Sequence, residues 1–124
     1  MSLPKTEGEG SIEEIKEAMV QKHIALIDEA GKKGVQILCL QEIFNTPYFC
    51  PGQDAKWYAS AETIPGPTVE RMQAYAKKYN MVMIVPVYEK EQAGVLYNTA
   101  AVIDAYGMPR CCVRARARPR ARLR

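Results

Sequence analysis

At residue 35 the hydrophobic pattern changes from a helical period to a nearly unbroken apolar run, and this change confines the chain to layered α/β folds. Before it, residues 11–33 carry the signature of an amphipathic helix. Ser11 can cap its start, and Glu14, three residues on, completes a capping box. Glu13, Glu14 and Glu17 suit the positive end of the helix dipole, Lys32 and Lys33 the negative end. Ile12, Ile15, Met19, Leu26 and Ala30 make one apolar stripe, and Gly31 or Gly34 can end the helix. Residues 35–40 (VQILCL) follow after a very short turn and read as a strand buried on both faces.

Residues 41–65 show no period and contain Pro47, Pro51, Gly52 and Pro65. They predict a long loop with a helical turn around residues 54–59, and loops of this length in compact domains often carry function. Pro67 suits the first turn of a second helix whose stripe is Val69, Met72, Ala76 and Tyr79. Lys77 and Lys78 suit its last turn and Asn80 its end. Residues 81–88 (MVMIVPVY) and 95–103 (VLYNTAAVI) predict two strands joined as a hairpin. The order helix, strand, loop, helix, strand, strand predicts an α/β fold in which helices cover the strands. A chain of 124 residues holds one such domain.

The end of the chain breaks this pattern. Seven of the eight arginines lie in residues 108–124 (MPRCCVRARARPRARLR), which contain no acidic residue. Without them, ten basic residues face fourteen acidic ones, so an acidic globular part spans residues 1–107 and a basic tail residues 108–124. The arginine–alanine alternation offers no apolar face, and the tail is expected to be disordered. It can attract phosphates without specificity but has no aromatic residue to stack a base, so no specific nucleic-acid partner is expected. No apolar run approaches the roughly eighteen residues of a membrane helix. Residues 1–10 lack the apolar segment of a secretory signal. These features predict a cytoplasmic chain in which Cys39, Cys50, Cys111 and Cys112 are reduced thiols.

Among residues able to do chemistry, Glu42 stands just past the predicted strand 35–40, where α/β sheets present reactive groups. A carboxylate there can act as a general base, or can be an ordinary loop glutamate in water. Cys50 has no histidine in its loop to activate it and reads as structural. Cys39, inside the apolar run, is expected in the core. The adjacent Cys111 and Cys112 lack the spacing and companions of a zinc site, so no metal is expected. His23, the single histidine, lies beside the helix stripe and reads as packing or surface. No glycine-rich phosphate loop is present.

From Ser11 to Gly107 the sequence resembles the N-terminal part of the nitrilase (carbon–nitrogen hydrolase) superfamily. Residues 35–44 (VQILCLQEIF) resemble the strand that ends in the family's first catalytic glutamate, and Ile64-Pro65-Gly66-Pro67-Thr68 the start of its next helix. Leu96-Tyr97-Asn98-Thr99-Ala100, followed by Val102-Ile103-Asp104, resembles the strand before its catalytic lysine. Tyr48-Phe49-Cys50 is similar to the branch of β-ureidopropionases and N-carbamoyl amino acid amidohydrolases. The resemblance implies a hydrolase of linear amide or ureido C–N bonds, free of cofactors, that forms homo-oligomers and uses a glutamate, a lysine and a cysteine. Only the glutamate carries over, as Glu42; the position of Tyr48 in the long loop makes it a candidate substrate contact.

No lysine exists beyond Lys90, and neither the family's lysine nor its nucleophile cysteine has a counterpart. The implied fold is therefore a partial α-β-β-α sandwich, lacking the first strand and the C-terminal half. The expectation is a truncated gene product, inactive alone, whose arginine-rich end has the composition of GC-rich coding sequence read in a shifted frame. The alternative is a non-catalytic fragment that pairs with full-length subunits through its exposed sheet edge.

Overall fold

The computed structural model describes residues 11–47 and 55–115. They form α1 (Ile12–Lys32), β1 (Ile37–Cys39), a 3-10 turn (Ala55–Ser60), α2 (Pro67–Tyr79), β2 (Val82–Gln92), β3 (Val95–Ile103) and β4 (Pro109–Ala115). One sheet runs in the order β1-β2-β3-β4, with β1 parallel to β2 and the other neighbours antiparallel. No helix is long and apolar enough to cross a membrane among the described residues.

Both helices begin and end on the residues that the sequence nominates. The Ser11 side chain accepts from the Glu14 backbone N–H at 3.2 Å. Pro67 opens α2, and Asn80 closes it in the left-handed conformation at φ 49°. The buried face of α2 is Thr68, Val69, Met72 and Ala76, with Tyr79 half-buried against the core. The face of α1 differs from the predicted stripe, because Ile15, Val20, Ile24 and Ile27 are buried while Leu26 is 57% exposed. Apolar residues on both flanks of α1 allow two stripes, and packing against α2 and the sheet selects the second.

The core lies between these helices and one face of the sheet, where Met83, Val85, Val87, Ala101 and Ile103 meet Ile24, Ile27, Phe44, Val69 and Met72. Full burial of each large apolar side chain contributes about 1.5–3 kcal/mol. The alternate residues of β2 (Val82, Ile84, Pro86 and Tyr88) face the other side, which no described element covers. Strand β1 departs from expectation for this reason. It is three residues long and sits at the sheet edge, with Ile37 64% exposed and Cys39 exposed rather than in the core. An apolar run shows that a strand can be buried on both faces, whereas neighbours decide whether it is.

Pro86 sits in β2, where a proline would ordinarily remove a ladder bond. On the β1 side of β2, Val82 N–H donates to Gln36 O and Ile84 O accepts from Leu40 N–H. Farther along the same side, Tyr88 O and Lys90 N–H bond residue Glu62. Pro86 falls between these two partners, so a residue without an N–H interrupts none of the bonds that either of them makes.

The tail expectation is corrected over its first half. Pro109–Ala115, expected to be disordered, forms β4 along the outer edge of β3. The alternation that looked featureless has period two, the period of a strand. It sets Arg114 against Glu89 and Glu91, while Arg110 donates to Asp104 at 2.5 Å. The domain therefore continues past residue 107. Residues 116–124 lie outside the described residues, as do Tyr48 and Cys50.

Candidate functional site

Glu42 is placed by the way β1 ends. Leu40 N–H makes the last bond to β2, with Ile84 O at 3.0 Å, and the chain then turns. Glu42 is exposed, whereas the next four residues, Ile43, Phe44, Asn45 and Thr46, are buried. Ile43 adopts φ +46°, a left-handed conformation that is disfavoured for a β-branched residue and frequent where a site over-determines the backbone. Phe44 is fully buried and meets the His23 ring edge-on, with centroids 5.1 Å apart. The Glu42 backbone is thus held from both sides.

The Glu42 carboxylate accepts a hydrogen bond from Asn98 Nδ2 of β3, its sole hydrogen bond among the described residues. Asn98 lies in the β3 ladder between Tyr88 of β2 and Ala115 of β4. Its side chain is on the sheet face opposite the helical core, so the carboxylate lies over the uncovered face. Pattern reading did not single out Asn98. The available signal was a polar residue within the apolar run VLYNTAAVI, which shows that something pairs with it but not what.

On the core side, Thr99, next to Asn98, belongs to a separate ionic cluster. Glu89, 3% exposed, accepts from Arg114 Nε at 2.9 Å and from its terminal nitrogen at 2.6 Å, and from Thr99 Oγ1 at 2.5 Å. Burial works to raise the Glu89 pKa, but the Arg114 and Thr99 bonds outweigh it and hold the carboxyl below the usual glutamate range. The hydrogen bond to Glu89, joined by the charges of Glu89 and Glu91, raises Arg114 above the ordinary arginine value. Arg114 also bonds Glu91 at 3.1 Å and stacks over the Tyr97 ring. It is fully engaged, and the ladder register points it away from Glu42.

A third cluster is structural. Gly66 has no side chain to cap α2, and buried Glu62 takes over by accepting from Thr68 N–H at 2.8 Å. Lys16 neutralises Glu62 and also donates to Ser60 O at 2.9 Å, while Asn45 Nδ2 bonds Thr68 Oγ1 at 3.1 Å. This cluster fastens the turn after Glu42 to the start of α2.

The other candidates stay apart from Glu42. A shallow apolar hollow between α1 and β1 is lined by His23, Leu26, Leu38, Cys39 and Gln41, and Glu42 is not in its wall. His23 Nδ1 lies 2.8 Å from Met19 O, so its ring serves the helix and the core. Cys39, Cys111 and Cys112 are free thiols, and the β4 alternation sends the last two to opposite sheet faces. Among the described residues no three His, Cys, Asp or Glu side chains are grouped to hold a metal ion.

Residues 11–118 match the family model described as carbon-nitrogen hydrolase, which extends the likeness beyond Gly107 through β4. Over 84 residues the chain is 40% identical to a β-ureidopropionase of Arabidopsis thaliana, spanning 66% of this chain and 21% of that protein. It is 40% identical over 83 residues to an N-carbamoylputrescine amidase of Solanum lycopersicum, spanning 66% and 27%. An ω-amidase of Xenopus tropicalis is 37% identical over 94 residues, spanning 75% and 32%. The chain thus spans between a fifth and a third of these relatives. In fold it is similar to a carbon-nitrogen hydrolase from Helicobacter pylori, with TM-score 0.70 and 22% identity over 85% of this chain and 36% of that one.

Proposed function

Because this chain belongs to the carbon–nitrogen hydrolase family, we propose that it carries the general base of an amidohydrolase acting on linear N-carbamoyl or amide substrates, and that Glu42 is that base. The observation that supports this reading most is the placement of Glu42. It is an exposed carboxylate at a strand tip, on a backbone fixed by buried neighbours, oriented by a neutral donor. No described cation pairs with it, so its lone pairs stay available to a proton.

In the triad that the resemblance implies, the glutamate takes the proton of a cysteine thiol, and the thiolate attacks the amide or ureido carbon. The lysine stabilises the negative oxygen of the tetrahedral intermediate. The amine leaves, and water cleaves the thioester to release the acid. The segment where the resemblance expects the lysine is β4, which contains none. Ala115 stands opposite Asn98, and Arg114 is engaged by Glu89 and Glu91 on the other face. One triad member without the thiolate cannot form the acyl-enzyme, and the chain alone is inactive. A substrate contact by Tyr48, which lies outside the described residues, and assembly into a homo-oligomer are parts of the same proposal.

Incubation of the purified chain with N-carbamoyl-β-alanine tests this. No ammonia above the blank is expected, and turnover that disappears in Glu42→Gln would refute the inactivity. The uncovered face and edges, with Ile37 64% and Val113 65% exposed, favour a second reading in which the chain acts by pairing with full-length subunits. Co-purification with an intact homologue, lost on Ile37→Lys, supports it; a chain that elutes alone in the presence of the homologue rejects it.

A further inference from the structure

We propose that Asn98 is the positioning residue for Glu42: its side-chain amide holds Oε1 and leaves Oε2 as the oxygen that takes a proton. The inference rests on the reading of Glu42 as general base and adds to it the group that aims the base.

The Glu42 Cα needs no further help. It lies one residue before a left-handed Ile43 with a buried side chain and two residues after a backbone bonded to β2. The side chain is different, because an exposed glutamate left to itself samples many rotamers, and fixing it costs up to about 1.5–2 kcal/mol. Something must hold it if it is to present one oxygen in one direction. The bond from Asn98 is the single hydrogen bond that does so among the described residues.

Asn98 is built for this. It is half-buried in the middle of β3 with a strand on each side, so the ladder fixes its own position. A carboxylate accepts but does not donate, so the amide must present Nδ2 to it, and the orientation of Asn98 is determined by its partner. The donor is a neutral amide, so it orients one carboxylate oxygen without forming an ion pair. Arg114, one residue from the β4 position that faces Asn98, is drawn to the opposite face by Glu89 and Glu91.

The test uses the labelled full chain in solution NMR and needs no substrate. In the wild type, three-bond couplings of Glu42 should report one χ1 rotamer. One Asn98 side-chain amide proton should resonate downfield and lose that shift in Glu42→Ala. Asn98→Leu and Asn98→Asp keep the shape of residue 98 but remove the donor. In both, Glu42 couplings should collapse to rotamer averages while the backbone resonances of β2 and β3 stay in place. Retention of a single Glu42 rotamer in both variants overturns the proposal, as does an Asn98 amide proton unmoved by Glu42→Ala. That last measurement alters only an exposed side chain and does not depend on whether the position 98 variants fold. Loss of the rotamer order establishes the positioning role whatever Glu42 does chemically. If an assembled enzyme is indifferent to Glu42→Gln, the general-base reading fails alone.

Discussion

Gly31→Ala is a substitution whose sign the structure reverses. Gly31 lies in the last turns of α1, where alanine ordinarily favours the helix over glycine by about 1 kcal/mol. A β-carbon built there would lie 2.3 Å from Tyr79 Cγ and within 2.6 Å of both neighbouring ring carbons. Carbon atoms pack at about 3.5–4.0 Å, so the Tyr79 ring must retreat by more than an ångström. It is not free to do so, because its hydroxyl donates to Asp28 Oδ1 at 2.5 Å and its ring packs on the core. Overpacking of this kind costs about 1–3 kcal/mol, and a ring held at both ends belongs in the upper half of that range. The net expectation for Gly31→Ala is a loss of about 1–2 kcal/mol, read by urea denaturation followed by far-ultraviolet circular dichroism. On a Tyr79→Ala background the obstruction is gone, and Gly31→Ala should stabilise by about 1 kcal/mol. A stabilising Gly31→Ala in the wild-type background would refute the reasoning, because the close approach of α1 and α2 would then be absent.

At position 43, Ile43→Ala should lose about 2–5 kcal/mol of core packing. Ile43→Gly should be no worse than alanine, because glycine adopts φ +46° without strain; a glycine variant less stable by the customary margin of about 1 kcal/mol would contradict this. Phe44→Ala should cost about 3–5 kcal/mol, since the ring is fully buried, and chemical denaturation measures it directly. The depressed pKa of Glu89 makes its contribution pH-dependent. Its stabilisation is complete above the ordinary glutamate value of 4.5 and is lost as pH falls through the lower folded value. Hydrogen-exchange protection of the β4 amides, corrected for intrinsic rates, should drop over that acid range, and Glu89→Gln should abolish the dependence.

What the sequence makes legible follows from how local each interaction is. Helix α2 is readable almost to the residue because its start, stripe and end (Pro67, Val69 to Ala76, Asn80) are all local features. The Met81–Ile103 hairpin region is readable because β-branched residues and a Gly94 turn are local too. The stripe of α1 is not, since Leu26 and Ile27 are neighbours of equal hydrophobicity and only packing decides which is buried. Nor is β4, whose arginines look solvated until Glu89, Glu91 and Asp104 are placed opposite them. In the candidate site, the resemblance locates Glu42 in the sequence. Its contact with Asn98, 56 residues away, exists only once β2 and β3 are paired.

The proline in β2 has a consequence for Glu42. A strand with two successive partners leaves a window in the hydrogen-bonded layer, and in most sheets an extended stranger could close such a window by docking its own backbone there. With no donor to offer at residue 86, β2 refuses that closure at its central rung. An extended segment laid along this edge, beside the point where the chain leaves β1 toward Glu42, would therefore lose its backbone bond at that rung and pair with β2 only above and below it.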